Sequence, residues 1–378
     1  MKILQLVTSR KSRGAEISAF LLSQELIKRG HQVVWAGLYP IEGEMGILTL
    51  ENSTNLDLTG NPQKSLDFKL IFELRKLIQK HKPDIIQANG SDTWKYSVLA
   101  LIGNSKPRLV YRNISIMSHW VGPRPWIKRM YRLLAKRVDY FCSVGEVANE
   151  DIKKLLNIPD SKSGVIRRGF EFYPVDKAIG KSFLQINHGI NPGDFVCVQV
   201  GSLSVEKNLE FSLHLIVKLK KNIPNLKLLI IGEGVQRQNL EKLKSKLSLE
   251  NHVFFLGHQK EDLNKIIAGS DIMLLTSHIE GVPGVLMEGM LSSVPVIASS
   301  VGGVPELVKN GETGWCISPN DLEAFAKAIQ EVSEMDEISR KKILGQAYNL
   351  VISNYSLSKV TQQFEELYQS LLATSKSK

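Results

Sequence analysis

Residues 3–7, 16–29 and 32–36 read in order as an apolar run, an amphipathic segment and a second apolar run. In the middle segment Ile17, Phe20, Leu21, Leu26 and Ile27 recur at helical spacing, and Gly30 ends it. A strand–helix–strand unit of this kind argues for a parallel, doubly wound sheet. The alternation continues along the chain. Residues 67–80, 125–137 and 147–156 predict helices, residues 84–87, 108–111 and 140–144 predict strands, and Val165-Ile166 closes the series. Residues 172–176 read as a linker. A second series then predicts strands at 195–200, 226–231, 253–256, 272–275 and 294–298, with helical segments between them. Helices are expected at 321–334 and 338–353. The last segment, 357–374, carries an apolar stripe of Val360, Phe364, Leu367, Leu371 and Leu372. Residues 40–65, the stretch before Pro125 and the residues up to Pro192 show no clear period.

Two series of this kind predict two domains, at 1–172 and 173–355, since 378 residues exceed what one small core holds. The expected class is α/β, with two Rossmann-like doubly wound domains facing a central cleft. Ligands of such sheets bind beyond the carboxyl ends of the strands. No apolar run approaches the roughly 18–20 residues that span a bilayer, and the opening Met1-Lys-Ile-Leu-Gln-Leu-Val7 soon meets Arg10, Lys11 and Arg13, unlike a signal peptide. Cys142, Cys197 and Cys316 each sit in an apolar run, with no metal or disulfide spacing. A cytoplasmic location is the expectation. Residues 1–175 hold 27 lysines and arginines against 16 aspartates and glutamates, whereas residues 176–378 hold 21 against 22. An excess of positive charge confined to one half points to an anionic surface as that half's partner.

The richest stretch is Thr276-Ser-His-Ile-Glu280-Gly-Val-Pro-Gly284-Val-Leu-Met-Glu288. It follows one apolar run and precedes another, so it reads as strand, glycine-rich loop, short helix, strand. Pro283 suits a first helical turn. The N–H groups of Gly284, Val285 and Leu286 would then point out of the helix start, a ready anion site. Glu280, next to Gly281, and Glu288 flank that cradle, and a charged sugar donor fits the pattern: phosphate on the amides, hydroxyls on the carboxylates. An isolated pair of glutamates eight apart would be no more than a solvated helix face; the bounding strands and the Gly-Val-Pro-Gly insert make this one specific.

Gly201-Ser202-Leu-Ser-Val-Glu-Lys207 also follows a strand and opens a helix. Alone, Lys207 reads as a surface lysine; beside the Glu280–Glu288 loop it reads as the counter-charge of a diphosphate. Gly14, at the first strand-to-helix turn, fits either a tight turn or backbone approach to a ligand. Glu306 in Gly302-Gly303-Val-Pro-Glu306 fits a helix cap or a ligand contact. His258 and Gln259 follow a strand and could border the base. His119 and His258 are placed in loops at cleft ends. There is no G-x-G-x-x-G for a nicotinamide or flavin, and no Asp-x-Asp pair to hold a divalent cation on a diphosphate. Arg124, Trp126, Lys128, Arg129, Arg132 and Lys136 lie on one basic, partly aromatic helical segment. It fits either an ordinary surface helix or a contact with anionic lipid, and the charge asymmetry favours the lipid.

Taken together, these motifs give the chain a resemblance to the retaining glycosyltransferases of family 4, which have the GT-B fold. The carriers are Gly14-Ala15-Glu16, Cys142 to Glu146, Val165-Ile-Arg-Arg-Gly169, Gly201 through Lys207, Ile231-Gly-Glu-Gly234, Phe255-Leu-Gly257, Glu280-x7-Glu288 and Gly302-Gly-Val-Pro-Glu306. The resemblance implies a sugar-nucleotide donor, UDP- or GDP-linked, retention at the anomeric carbon, no metal and no separate cofactor. It also implies that residues 356–378 pack back on the first domain. By this likeness Lys207 meets the diphosphate, Glu288 the ribose, Glu280 the donor sugar, and Gly14 lies beside diphosphate and acceptor.

Three positions depart from the family pattern. Ser202 stands where an arginine is common, and Arg168 stands where an Asn is usual. Arg112-Asn113 stands where a histidine is often found, with His119 following as the acceptor-side candidate. The expected activity is hexosyl transfer to a hydroxyl acceptor, a cell-envelope lipid-linked saccharide or polysaccharide, by a protein that is peripheral on the inner face of a membrane. A sugar-nucleotide 2-epimerase and a non-catalytic sugar-nucleotide-binding protein are the alternatives. No nucleic acid partner is expected.

Overall fold

The computed structural model describes residues 1–12, 14–41, 46–104, 106–122 and 124–374. Arg13 of the first turn and residues 375–378 of the expected final segment lie outside the described residues. The chain divides into two units, Met1–Phe170 with Asn354–Lys378, and Glu171–Ser353.

The first unit runs β1 (Lys2–Val7), α1 (Gly14–Lys28), β2 (Gln32–Gly37), β3 (Thr54–Asp57), α2 (Phe68–His81), β4 (Ile85–Asn89), α3 (Ser91–Ala100), β5 (Arg108–Asn113), α4 (Met117–Val121), α5 (Pro125–Ala135), β6 (Tyr140–Ser143), α6 (Glu146–Leu156) and β7 (Ser163–Val165). Its sheet has the order β3-β2-β1-β4-β5-β6-β7, and all its pairings are parallel. Successive strand residues face opposite sides, and both sides are covered. Leu4, Leu6, Ile86 and Ala88 meet Trp94, Phe141 and Ile152 on one face, whereas Ile3, Val7, Trp35 and Ile85 meet Ala19, Leu22 and Leu26 on the other. Burial on both sides is why these strands read as mostly apolar runs without strict alternation.

The second unit runs α7 (Lys177–His188), β8 (Phe195–Val200), α8 (Leu209–Leu219), β9 (Leu226–Ile231), α9 (Arg237–Lys246), β10 (Val253–Gly257), α10 (Leu263–Gly269), β11 (Ile272–Leu275), α11 (Gly284–Leu291), β12 (Val296–Ser299), α12 (Val304–Leu307), β13 (Trp315–Ile317), α13 (Leu322–Glu334) and α14 (Glu337–Tyr355). Its parallel sheet has the order β10-β9-β8-β11-β12-β13. The direction of strand addition reverses between β8 and β11, which puts the loops leaving those two strands side by side.

The chain then returns to the first unit as α15 (Leu357–Ala373). Val360, Phe364 and Tyr368 bury against Ile3, Trp35 and Cys142. Glu365 is bonded by Arg29 at 2.8 Å and by His31 at 2.7 Å, and the Tyr368 hydroxyl donates to Gln87 of β4. Arg112 is 5 % exposed; its guanidinium donates to Cys142 Sγ at 3.0 Å and to the Arg167 carbonyl at 3.0 Å, and lies 5.2 Å from the Phe364 ring. Burial pushes the Cys142 thiol up despite that neighbouring cation.

Several elements were not legible as periods. β3 has the sequence TNLD and no buried residue, and β13 is only 3 residues long. Within α3, Thr93, Trp94, Tyr96, Ser97, Val98 and Ala100 are all buried, so no single stripe stands out. α7 buries only Gly180 and Leu184 while Ile179 and Ile186 are exposed, which blurs its pattern.

Candidate functional site in the second unit

The site begins where β11 ends. Thr276 and Ser277 are buried, and the chain then turns through the exposed His278 and Ile279 to Glu280. The Glu280 side chain is 9 % exposed. Its Oε1 accepts from the Lys207 ammonium at 2.6 Å and from the Ser277 hydroxyl at 2.6 Å. Lys207 closes a short 3-10 turn, Val205–Lys207, that leads from β8 into α8. The main chains of the two loops are also joined, by the His278 N–H donating to the Glu206 carbonyl at 2.8 Å. In the same turn the Ser204 hydroxyl holds the Glu206 carboxyl below its usual range.

One glycine lets this arrangement close. Gly302, after β12, has φ +51°, and a Cβ there would run into the Glu280 carbonyl oxygen; the neighbouring Gly303 N–H donates to the Gly281 carbonyl at 2.8 Å. The loop after β12 is thus packed under the backbone that carries Glu280. At Gly201 a Cβ would sit 3.4 Å from the Lys207 side-chain stem, so the lysine lies along bare backbone, with Ser202 exposed beside it.

α11 starts at Gly284 with Pro283 as its N-cap, in extended conformation at φ −75° and ψ 116°. Pro283 therefore stands one place earlier than a first helical turn. Gly284 and Val285 are half-buried at the helix start. Leu286 differs from expectation: its N–H donates to the Pro283 carbonyl at 3.3 Å, because the first turn tightens to an i→i−3 bond. The amides left at the helix start are then those of Gly284 and Val285, and Leu286 contributes a fully buried side chain. Glu288 is half-buried on α11.

His258 is exposed after β10, and the Gln259 amide donates one of its two N–H groups to the Leu256 carbonyl at 2.8 Å, within its own turn. Among the described residues no group of three or more His, Cys, Asp or Glu is placed to hold a metal ion.

In the first unit, Gly14 starts α1 and is exposed, with Arg168 Nη1 3.9 Å from where a Cβ would stand. His119 is exposed and lies within α4, not in a loop, because residues 117–121 close a helical turn. Arg112 and Asn113 are buried within β5, where Arg112 serves main-chain carbonyls and Asn113 donates to the Ala148 carbonyl at 3.0 Å. α5 has two apolar stripes. Ile127, Tyr131, Leu134 and Ala135 pack on the core, while Trp126, Met130 and Leu133 are 67 %, 39 % and 66 % exposed at helical spacing. Arg124, Arg129 and Lys136 are exposed and Lys128 is half-buried. Arg132 is turned to α6, where it donates to the Leu155 carbonyl at 3.2 Å and to Asn157 at 3.1 Å.

Residues 12–172 match the family model described as Glycosyltransferase Family 4, and residues 181–349 match Glycosyl transferases group 1. Each match covers somewhat less than half of the chain, and the two follow one another along it. Lys207, Glu280 and Glu288 lie in the group 1 match, and α5 lies in the family 4 match. The chain is 30% identical over 201 residues to the "Putative glycosyltransferase EpsD" of Bacillus subtilis, a stretch covering 53% of this chain and 52% of that protein. It thus spans about half the length of that relative. It is 27% identical over 356 residues to the Campylobacter jejuni "GalNAc-alpha-(1->4)-GalNAc-alpha-(1->3)-diNAcBac-PP-undecaprenol alpha-1,4-N-acetyl-D-galactosaminyltransferase", covering 92% of each. It is also 26% identical over 315 residues to the Escherichia coli UDP-Gal:alpha-D-GlcNAc-diphosphoundecaprenol alpha-1,3-galactosyltransferase, covering 80% of this chain and 79% of that one.

Among solved structures, Anabaena Alr3699/HepE in complex with UDP superposes with a TM-score of 0.83 at 22% identity, over 98% of this chain and 100% of that one. WaaG, a glycosyltransferase involved in lipopolysaccharide biosynthesis, superposes with a TM-score of 0.70 at 16% identity, over 97% and 99%. The fold is GT-B, as the motifs led one to expect. Ser277 was missed in the sequence. Its only signal is its place three residues before Glu280.

Proposed function

We propose that the chain is a retaining, metal-independent glycosyltransferase that moves a sugar from a UDP- or GDP-linked donor to a hydroxyl acceptor, a lipid-linked saccharide or polysaccharide of the cell envelope. The observation that carries this reading is the convergence of the Lys207 ammonium and the Glu280 carboxylate, 2.6 Å apart, on adjacent loops at the strand-order reversal of the second sheet. It agrees with the UDP complex of the similar HepE structure and with the UDP-Gal donor and diphosphoundecaprenol acceptor in the E. coli relative's name.

In this reading Lys207 and the Gly284 and Val285 amides take the diphosphate, Glu280 the donor sugar and Glu288 the ribose; Gly14, Ser202, His258, Gln259 and Gly281 line the donor. The bond between the anomeric carbon and the phosphate oxygen breaks with its electron pair passing to the phosphate. The acceptor oxygen bonds to that carbon on the same face, and its proton passes to the phosphate oxygen. Fixed donors aimed at the growing phosphate charge lower the barrier. His119 is the acceptor-side candidate. In the same reading the exposed stripe of α5, with Arg124, Arg129 and Lys136, rests on anionic lipid at the inner face of the membrane; no described helix is long and apolar enough to cross one.

The test is a donor screen with an acceptor panel, reading released nucleoside diphosphate and the product's anomeric configuration. A retained linkage formed in the presence of a chelator is the expected result. Inversion, or a strict need for a divalent ion, contradicts it. An epimerised donor in the absence of acceptor would favour an epimerase.

A further inference from the structure

Three neutral polar side chains lie buried behind Lys207. Gln199 of β8 is 3 % exposed, Ser212 of α8 is 0 % and Thr276 after β11 is 1 %. The Ser212 hydroxyl donates to Gln199 Oε1 at 2.7 Å, and Gln199 Nε2 donates to Thr276 Oγ1 at 2.8 Å. Thr276 Oγ1 in turn donates to the carbonyls of Lys207 and Asn208, at 3.1 and 3.2 Å. The direction of this relay is set by proton count. Thr276 has one hydroxyl proton, and two carbonyls that can only accept claim it. With that proton directed at the main chain, the amide nitrogen of Gln199 is the end that satisfies Thr276 Oγ1, and the Ser212 hydroxyl also lies 3.0 Å from Thr276 Oγ1. Buried polar groups of this kind cost stability unless every member is satisfied, and an apolar trio would fill the space without that demand.

The relay ends on the main chain of the lysine turn. The β11–α11 loop therefore holds Lys207 at both ends: Thr276 grips its carbonyl, and Glu280 meets its ammonium. Asn208, the next residue, is in the left-handed region at φ 52°, which asparagine adopts more readily than other residues with a side chain. We propose that Gln199 and Thr276 are positioning residues that set the backbone of Lys207, and so fix where its ammonium stands relative to the diphosphate. This rests on the reading above that Lys207 meets a diphosphate.

The full chain is titrated calorimetrically with UDP and uridine, and with GDP and guanosine, in wild type, Thr276→Val, Thr276→Ser and Lys207→Ala, and in Lys207→Ala combined with Thr276→Val. Thr276→Val is expected to weaken the diphosphate by roughly 5- to 10-fold, the effect of one neutral hydrogen bond, and to leave the nucleoside unchanged. Thr276→Ser keeps the hydroxyl and should restore affinity to within about 2-fold. In the Lys207→Ala background Thr276→Val should add no further loss, as coupled residues behave. A Thr276→Val protein that keeps the full diphosphate preference overturns the proposal. So does an equal loss for nucleoside and diphosphate, or the same loss without Lys207, since both would mark a purely structural role. If Thr276→Val does not fold, Thr276→Cys, a weak donor of similar size, is read by the same ratios. A wild type that binds neither diphosphate more tightly than its nucleoside, or a Lys207→Ala protein with undiminished affinity, refutes the role of Lys207 itself.

Discussion

Lys207 and Glu280 form a 2.6 Å ion pair in which the carboxylate is the more buried partner, 9 % exposed against 25 % for the lysine. The ammonium assigned to a diphosphate is thus already held by the carboxylate assigned to the sugar, and an incoming donor must share it.

Removing either partner should therefore have different effects. Lys207→Ala leaves Glu280 charged beside the phosphates with only Ser277 bonded to it. A loss of about 100-fold or more in turnover is expected, together with weaker diphosphate binding. Glu280→Gln frees the ammonium, so diphosphate affinity should hold or rise while turnover falls. Steady-state kinetics and calorimetry on both variants check this; equal losses of diphosphate affinity would show that the ammonium is not shared.

Gly302→Ala should disturb the site from beneath. The position has φ +51°, and the added methyl would meet the Glu280 carbonyl. The expected cost is about 2 kcal/mol, with donor affinity lost alongside. Thermal denaturation and nucleotide binding report both; an unchanged midpoint would mean that the loop moves aside freely.

Acid should loosen α15. Burial alone would raise the Glu365 carboxyl, but its bonds to His31 and Arg29 outweigh that and hold it below its usual range. A lowered carboxyl stabilises the fold above the unfolded value, about 4.3, and that stability fades as pH falls through the folded value. Glu365→Gln should cost about 1 kcal/mol at neutral pH, and the deficit should shrink below the carboxylate range. Urea denaturation at about pH 7 and about pH 3 tests the sign: a gap that widens in acid contradicts it.

The outer stripe of α5 makes a separate prediction. Trp126→Ala combined with Leu133→Ala should abolish flotation with vesicles of anionic lipid at low salt and leave donor binding intact. Replacing Arg129 and Lys136 with glutamine should weaken flotation by about 1 kcal/mol per residue. No flotation of the wild type would remove the lipid contact from the account.

Much of this fold was legible because its central strands are buried on both faces. β11 is an unbroken apolar run, and β1, β4 and β8 are mostly apolar with a glutamine in each; the glycines and polar residues between runs marked the loops. Edge strands gave no such signal: TNLD in β3 faces solvent as much as core. Glu280 was readable because it stands beside Gly281 in a loop between two apolar strands, and Lys207 was readable only in combination with that loop. Thr276, Ser277 and Gln199 were not, since a neutral polar residue looks the same in a loop as in a buried network. The tightening that takes the Leu286 amide out of the helix start depends on local geometry that residue type does not encode.

The split first unit bears on the order of synthesis. Ile3, Trp35 and Cys142 are made early, but Phe364 and Tyr368, which cover them, come only after the whole second unit has been translated. Until then α1 covers that side of the first sheet only in part, leaving apolar surface open on the ribosome of the kind chaperones guard. A nonsense codon anywhere in the second unit would accordingly harm the first as well, by withholding its cover.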